Sequence, residues 1–104
     1  MINDIYLVGR LGRDPEYKTI GQSGICTFAV ATTSSKKDAQ GNWIEETEWH
    51  EVKKWGEAGR RFAETSKKGD LVVIRGSYVT EEYTNKDGVE IKKKVVKADK
   101  LVKA

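Results

Sequence analysis

One cysteine, one histidine, one methionine and one proline are spread over the 104 residues of this chain, and each scarcity closes off a class of protein. Cys26 alone cannot form an internal disulfide, which excludes a disulfide-stapled secreted domain and points to a reducing compartment. Cys26 and His50 together fall short of the ligand set of a structural zinc site. No apolar run approaches membrane-spanning length, and the start, MINDIYLVGR, has no basic segment followed by a long apolar one. A cytoplasmic protein is therefore expected, with no membrane partner. Gly9 and Gly12 lack the Gly-Lys-Ser/Thr ending of a P-loop, and no second strand-helix unit follows them. There is no internal repeat and no linker. The chain is too short for two independent cores, so residues 1–104 read as a single domain.

What the chain does have is charge. Charged residues make up 34%, above the usual quarter or so, and the formal net charge is +3 with a pI near 9.0. The excess is uneven. Residues Val89 to Ala104 hold six lysines against Glu90 and Asp99, a net of +4, which leaves the first 88 residues at −1. Such a mild basic lean fits a polyanion partner.

Hydrophobic alternation predicts strands almost throughout. The first, Ile5 to Leu11, sets Ile5, Leu7 and Leu11 against Tyr6, Val8 and Arg10, and is broken by the turn Gly12-Arg13-Asp14-Pro15-Glu16, after which Tyr17 to Ile20 briefly resumes extended structure. The second, Ile25 to Thr33, has Cys26, Phe28 and Val30 on one face and Thr27, Ala29 and Ala31 on the other, as expected of a strand curled into a barrel; Cys26 reads as a small buried hydrophobe. Ser34 to Asn42 reads as a mobile hairpin loop, and Ile44 to Trp55 as the third and longest strand. Glu57 to Lys68 predicts a short helix with an apolar stripe of Ala58, Phe62 and Thr65, late Lys67 and Lys68, and a stop at Gly69; Gly59 weakens it. A fourth strand runs from Leu71 to Thr80, extended by Glu81-Glu82-Tyr83-Thr84. Asn85-Lys86-Asp87-Gly88 is a hairpin signal, and a fifth strand returns from Val89 to about Leu101. Five strands with one short helix between the third and fourth is the order of the OB-fold, an all-β five-stranded Greek-key barrel.

The third strand carries the chemistry. Trp49 and Trp55 are an even number of positions apart, so both lie on one strand face, with Glu51 and Lys53 between them. Two large aromatics on a charged face read as an exposed stacking surface suited to a nucleobase; the alternative is burial against another subunit or under a loop. Arg10, Arg13, Lys36, Lys37, Lys53, Arg75, Lys86 and the triplet Lys92, Lys93 and Lys94 are the candidate phosphate contacts, against the alternative of ordinary solvated faces. Glu45, Glu46, Glu48 and Glu51 are the one carboxylate cluster. They alternate faces and lack a nearby aspartate, which argues against a metal-dependent nuclease and against an enzyme altogether. No metal or other cofactor is expected.

Several stretches together closely resemble the bacterial single-stranded DNA-binding protein family. They are VGRLGRDPE (Val8 to Glu16), FAVAT (Phe28 to Thr32), TEWH (Thr47 to His50) followed by WG at Trp55-Gly56, the KKGD and VVIRG run of Lys67 to Gly76, and the Asp87-Gly88 hairpin, in register from Ile2 to about Leu101. The resemblance implies an OB-fold that self-associates, commonly as a homotetramer with a dimer as the alternative, and that binds single-stranded DNA without sequence preference and without catalysis. Trp49, Trp55 and Tyr83 match base-stacking positions, and His50 matches a subunit contact, where an interface hydrogen bond is expected. Lys36 or Lys37 stands where the family often has a loop aromatic, with Trp43 as a substitute across that loop. Lys54 stands where an apolar residue is usual. The sequence ends in LVKA, so replication or repair partners are not expected to dock through the family's acidic tail. A tail-less adaptor of the primosomal type is the competing reading. A cold-shock RNA-binding domain is disfavoured because its phenylalanine-rich motifs are missing.

Overall fold

The computed structural model describes all of residues 1–104, and its strands follow the alternation of the sequence closely. In chain order the elements are β1 (Ile5–Leu11), β2 (Glu16–Ile20), β3 (Ser23–Lys37), β4 (Trp43–Trp55), α1 (Glu57–Thr65), β5 (Leu71–Thr84) and β6 (Glu90–Lys103). The sheet runs β1-β5-β6-β4-β3, and pairing of Arg10 with Ala31 and Leu11 with Val30 brings β1 back against β3, closing a five-stranded barrel. All pairings are antiparallel except β4 with β6, which meet in parallel at Val52–Val96 and Lys53–Lys97. The extra strand segment, β2, is the second arm of a bent first strand. Both arms lie on β3, β1 at Ala31 and Val30 and β2 from Thr27 to Ser23, and the break between them contains Pro15, which cannot donate to a ladder.

One face of each barrel strand points inward. Leu7 and Leu11 from β1, Cys26, Phe28 and Val30 from β3, Val52 from β4, Val72 and Ile74 from β5, and Val96 and Ala98 from β6 join Phe62 of α1 in one core. Each fully buried aliphatic or phenylalanine side chain there contributes about 1.5–3 kcal/mol. Phe28 and Phe62 meet with ring centroids 4.7 Å apart, tilted by 37°, so α1 plugs one end of the barrel. Burial pushes the Cys26 thiol up to about 11, leaving it protonated and inert at neutral pH.

Three local expectations are corrected. The segment after the second strand is not a long mobile loop: β3 continues to Lys37, paired with Trp43, and the turn is confined to Asp38–Asn42, where the Asp38 carboxylate accepts the Gln40 and Asn42 amides at 2.8 and 2.9 Å. The helix stops at Thr65 rather than Lys68, because Ser66 is extended and the Lys67 and Lys68 amides donate to the carboxylates of Asp70 and Asp14 instead of continuing the helix. Its buried stripe is Gly59 and Phe62, while Ala58 and Thr65 are exposed. Gly59, expected only to weaken the helix, lets it sit down on the barrel: a Cβ there would come within 3.1 Å of the Cys26 Cβ and closer still to the Lys54 carbonyl.

The β5–β6 hairpin turns as its sequence predicts, with the Asn85 side-chain oxygen accepting the amides of Asp87 and Val89 at 2.9 and 3.0 Å. No helix is long and apolar enough to cross a membrane.

Candidate nucleic-acid interface

Because Val52 faces the core, alternation along β4 turns Trp43, Thr47, Trp49, Glu51, Lys53 and Trp55 to the outer face. Trp43, Trp49 and Trp55 are 69%, 61% and 49% exposed. Trp49 and Trp55 are six residues apart, about 20 Å along the strand. The same parity applied to β5 and β6, whose core residues are even-numbered, puts Glu81, Tyr83 and Lys93 on the outer face as well. Tyr83, 47% exposed, has the Lys93 ammonium 5.8 Å from its ring centroid, and Lys37 lies 5.2 Å from the ring of Trp43. All four predicted stacking aromatics therefore share the outer surface, and Trp43 and Tyr83 each have a lysine beside the ring.

Register shows what lies under the tryptophans. Arg10, Ala31 and Trp49 form one row across β1, β3 and β4; Glu16, Thr27 and Lys53 form another across β2, β3 and β4; Lys18, Ile25 and Trp55 form a third. The Trp49 indole crosses the small side of its row and reaches Gly12, at the end of the first arm. Trp55 closes the strand just before Gly56, whose amide donates to the Gly24 carbonyl at 3.0 Å and pins the end of β4 to β3. Both indoles thus sit on a rigid ladder.

The cations divide differently from the sequence list. Lys53 donates to both carboxylate oxygens of Glu81 at 2.7 Å, and Lys93 bonds Glu51 at 2.9 Å, so two ion pairs tie the outer face of β4 to the β5–β6 hairpin. The hydrogen bond to Glu51 holds the Lys93 ammonium above the usual lysine range. Partly exposed pairs of this kind contribute no more than about 1 kcal/mol each, so an incoming phosphate can replace the carboxylate.

The triplet does not act as one set: Lys92 pairs with Glu82, Lys93 lies beside Tyr83, and Lys94, on the even-numbered inner parity of β6, lines a small cleft with Trp49, His50, Glu51 and Tyr78. Lys36 pairs with Glu46 on that same inner parity. Arg10 donates to the Gly69 carbonyl at 3.0 Å, Arg75 stacks over Tyr6 at 5.7 Å on the β1–β5 side, Arg13 is partnerless and exposed in the bend after β1, and Lys86 sits exposed in the hairpin tip. His50 is hydrogen-bonded within its own chain, its Nε2 lying 2.9 Å from the Thr32 hydroxyl. Lys54 reaches the Asp99 carbonyl at 3.1 Å, next to the bulge that separates the Arg75–Lys100 and Gly76–Ala98 pairs. The glutamates of β4 do not gather into a metal-ligand set; Glu46 and Glu51 are each taken by a lysine.

Sequence reasoning missed Gly12, Lys18, Ile20 and Ile25 as parts of this face, and the pairing of Glu51 and Glu81 with the lysines. The alternation of Lys18 and Ile20 with the half-buried Tyr17 was the available signal for β2.

A family model described as the single-strand binding protein family matches residues 2–103. A single-stranded DNA-binding protein of Xylella fastidiosa is 46% identical over 90 residues, which is 86% of this chain and 55% of that protein. One of Xanthomonas campestris pv. campestris is 43% identical over 90 residues, 86% of this chain and 52% of that protein. The chain thus spans about half the length of the curated relatives it matches. Among solved structures, a Plasmodium falciparum SSB in complex with ssDNA superposes with a TM-score of 0.88 at 22% identity, covering 100% of this chain and 96% of that one. A deletion mutant of the single-stranded DNA binding protein from Thermus aquaticus superposes with a TM-score of 0.84 at 23% identity, covering 99% and 50%. At such identities the superpositions establish the OB-type barrel.

Proposed function

This chain belongs to the single-strand binding protein family, and on that premise we propose that it binds and shields single-stranded DNA, without sequence preference and without catalysis, in replication, recombination and repair. The observation that carries the reading is the outer face itself. Trp43, Trp49, Trp55 and Tyr83 stand about half or more exposed on one surface, while the barrel fills its interior with other residues, Phe28 and Phe62 among them. Exposing large aromatic rings sacrifices burial that a small core needs, unless a ligand covers them. Every base has a π-face, so such a row holds DNA of any sequence, at about 1–3 kcal/mol per stacked base. Lysines at the ring edges add the phosphate contribution, which weakens with salt. That the Plasmodium falciparum protein was solved with ssDNA supports the same reading.

Self-association, as the tetramer commonly found in the family, goes with it. Val8, Val73 and Val102 lie in one row across the outside of β1, β5 and β6, beside the exposed Tyr6, and this apolar strip on the far side of the barrel from β4 suits a second copy of the chain. The reading includes His50 at a subunit contact and a cytoplasmic location.

Titration of intrinsic tryptophan fluorescence with oligo-dT of increasing length, at two salt concentrations, tests the proposal. Strong quenching at submicromolar protein, with length-dependent stoichiometry, is expected. A folded chain that shows no quenching and no binding would overturn it in favour of an adaptor acting through protein contacts.

A further inference from the structure

Resting on the reading that the outer face takes single-stranded DNA, we propose that the binding surface continues past Trp55 onto the edge strand β2, where Lys18, Ile20 and Ile25 form with Trp55 a subsite for a further nucleotide. Pairing of Lys18 with Ile25 and of Ile25 with Trp55 lays these three side chains side by side across β2, β3 and β4. Ile20, on the same face of β2 as Lys18, is 51% exposed, and together they border a cleft of about 380 Å³ with Trp55. That volume falls in the range of small-ligand pockets, about 300–1,000 Å³.

Ile25 shows how the floor is built. It is only 9% exposed yet stands outside the barrel core, on the opposite face of β3 from Cys26 and Phe28. Its cover comes from the outer side, where the row sets it between Lys18 and Trp55. The cleft therefore has an apolar floor and rim, Ile25 and Ile20, with the flat indole as a wall, which is the environment a base needs on leaving water.

Charge selects the occupant. Lys18 takes part in none of the ion pairs, so its ammonium is available to a phosphate. At the far side of the cleft Glu81 is already held by Lys53. Glu16, two residues before Lys18 and also lining the cleft, makes that end acidic, so the phosphate is expected on the Ile20 side of Lys18. Trp55 belongs both to the β4 face and to the cleft, so a strand stacked along β4 enters it by turning across the sheet at that residue.

The test uses the Trp43→Phe/Trp49→Phe chain, in which Trp55 is the remaining indole, titrated with oligo-dT. Quenching of Trp55 is expected. Adding Lys18→Glu or Ile20→Ala should weaken the affinity read at Trp55 about fivefold or more, equivalent to roughly one lost base stack, whereas Lys67→Glu, the same charge change on the turn after α1, should change it less than about twofold. The subsite is overturned if Trp55 stays unquenched while the chain binds oligo-dT, or if Lys18→Glu and Ile20→Ala behave like Lys67→Glu. It is also overturned if these substitutions alter sedimentation instead of affinity, the sign that the cleft seats a second copy. Failure of the unsubstituted chain to bind oligo-dT would remove the DNA reading, and this inference with it.

Discussion

Gly12 lies against the indole of Trp49: a Cβ built on Gly12 would fall 2.8 Å from Cη2 of the ring and closer still to Cζ3. The bend that ends β1 and the aromatic at the middle of β4, 37 residues apart in sequence, are therefore fitted to each other. The missing side chain gives the ring its resting place. This makes the LGRDPE bend part of the aromatic face although it carries no aromatic of its own.

Gly12→Ala should push the Trp49 ring from that place without unfolding the barrel. Affinity for oligo-dT is expected to fall in the same direction as for Trp49→Ala, which should lose about 1–3 kcal/mol, and in both variants the salt slope should hold. Fluorescence titration at several salt concentrations checks this; a parental affinity for Gly12→Ala would show that the ring's position does not matter.

Freeing a latched lysine should act on the slope instead. Glu51→Gln removes the carboxylate that holds Lys93 at 2.9 Å beside Tyr83, leaving the ammonium to a phosphate. The dependence of log affinity on log salt should steepen, by up to about 0.7 for a full contact. Lys53→Ala, by contrast, should lower the slope by a fraction of a unit, since Glu81 already occupies much of Lys53.

Phe62→Ala should destabilise the fold by about 3–5 kcal/mol, as it empties the end of the barrel where the ring meets Phe28. Urea denaturation followed by circular dichroism would measure it, and a cost below about 1 kcal/mol would mean that α1 is not the plug described.

Cys26 should resist thiol reagents at pH 8 and react fully once the chain is unfolded. Its folded value, about 11, lies above the ordinary 9.0, so burial of the neutral thiol stabilises the fold fully below pH 9.0 and that contribution is lost as pH rises toward about 11. Labelling with and without denaturant, together with melting temperatures across pH 8 to 11, tests both statements.

Much of the site was legible because a strand's side-chain period is local. Val52 facing inward is enough to turn Trp49, Lys53 and Trp55 outward together, and the spacing of those residues is written in the chain. The hairpin at Asn85 and the bend at Pro15 were legible for the same reason, as each is made by its own few residues. The helix end was not, because Lys68 is stopped by the carboxylate of Asp14, brought from the bend after β1.

Alternation and turns along the chain already give the succession of strands and helix, the inward set of Cys26, Phe28, Val30 and Val52, and the aromatic row on β4. All of these follow from alternation and turn chemistry within a single segment. Tertiary structure alone decided which lysines share that row, since Lys53 and Lys93 find Glu81 and Glu51 only when β6 pairs in parallel with β4. It also decided that Gly12 lies beside Trp49 and that β2 extends the face toward Lys18. Charges and rings meet across strands that are distant in the chain, and the register of a ladder, not the spacing of residues, sets their neighbours.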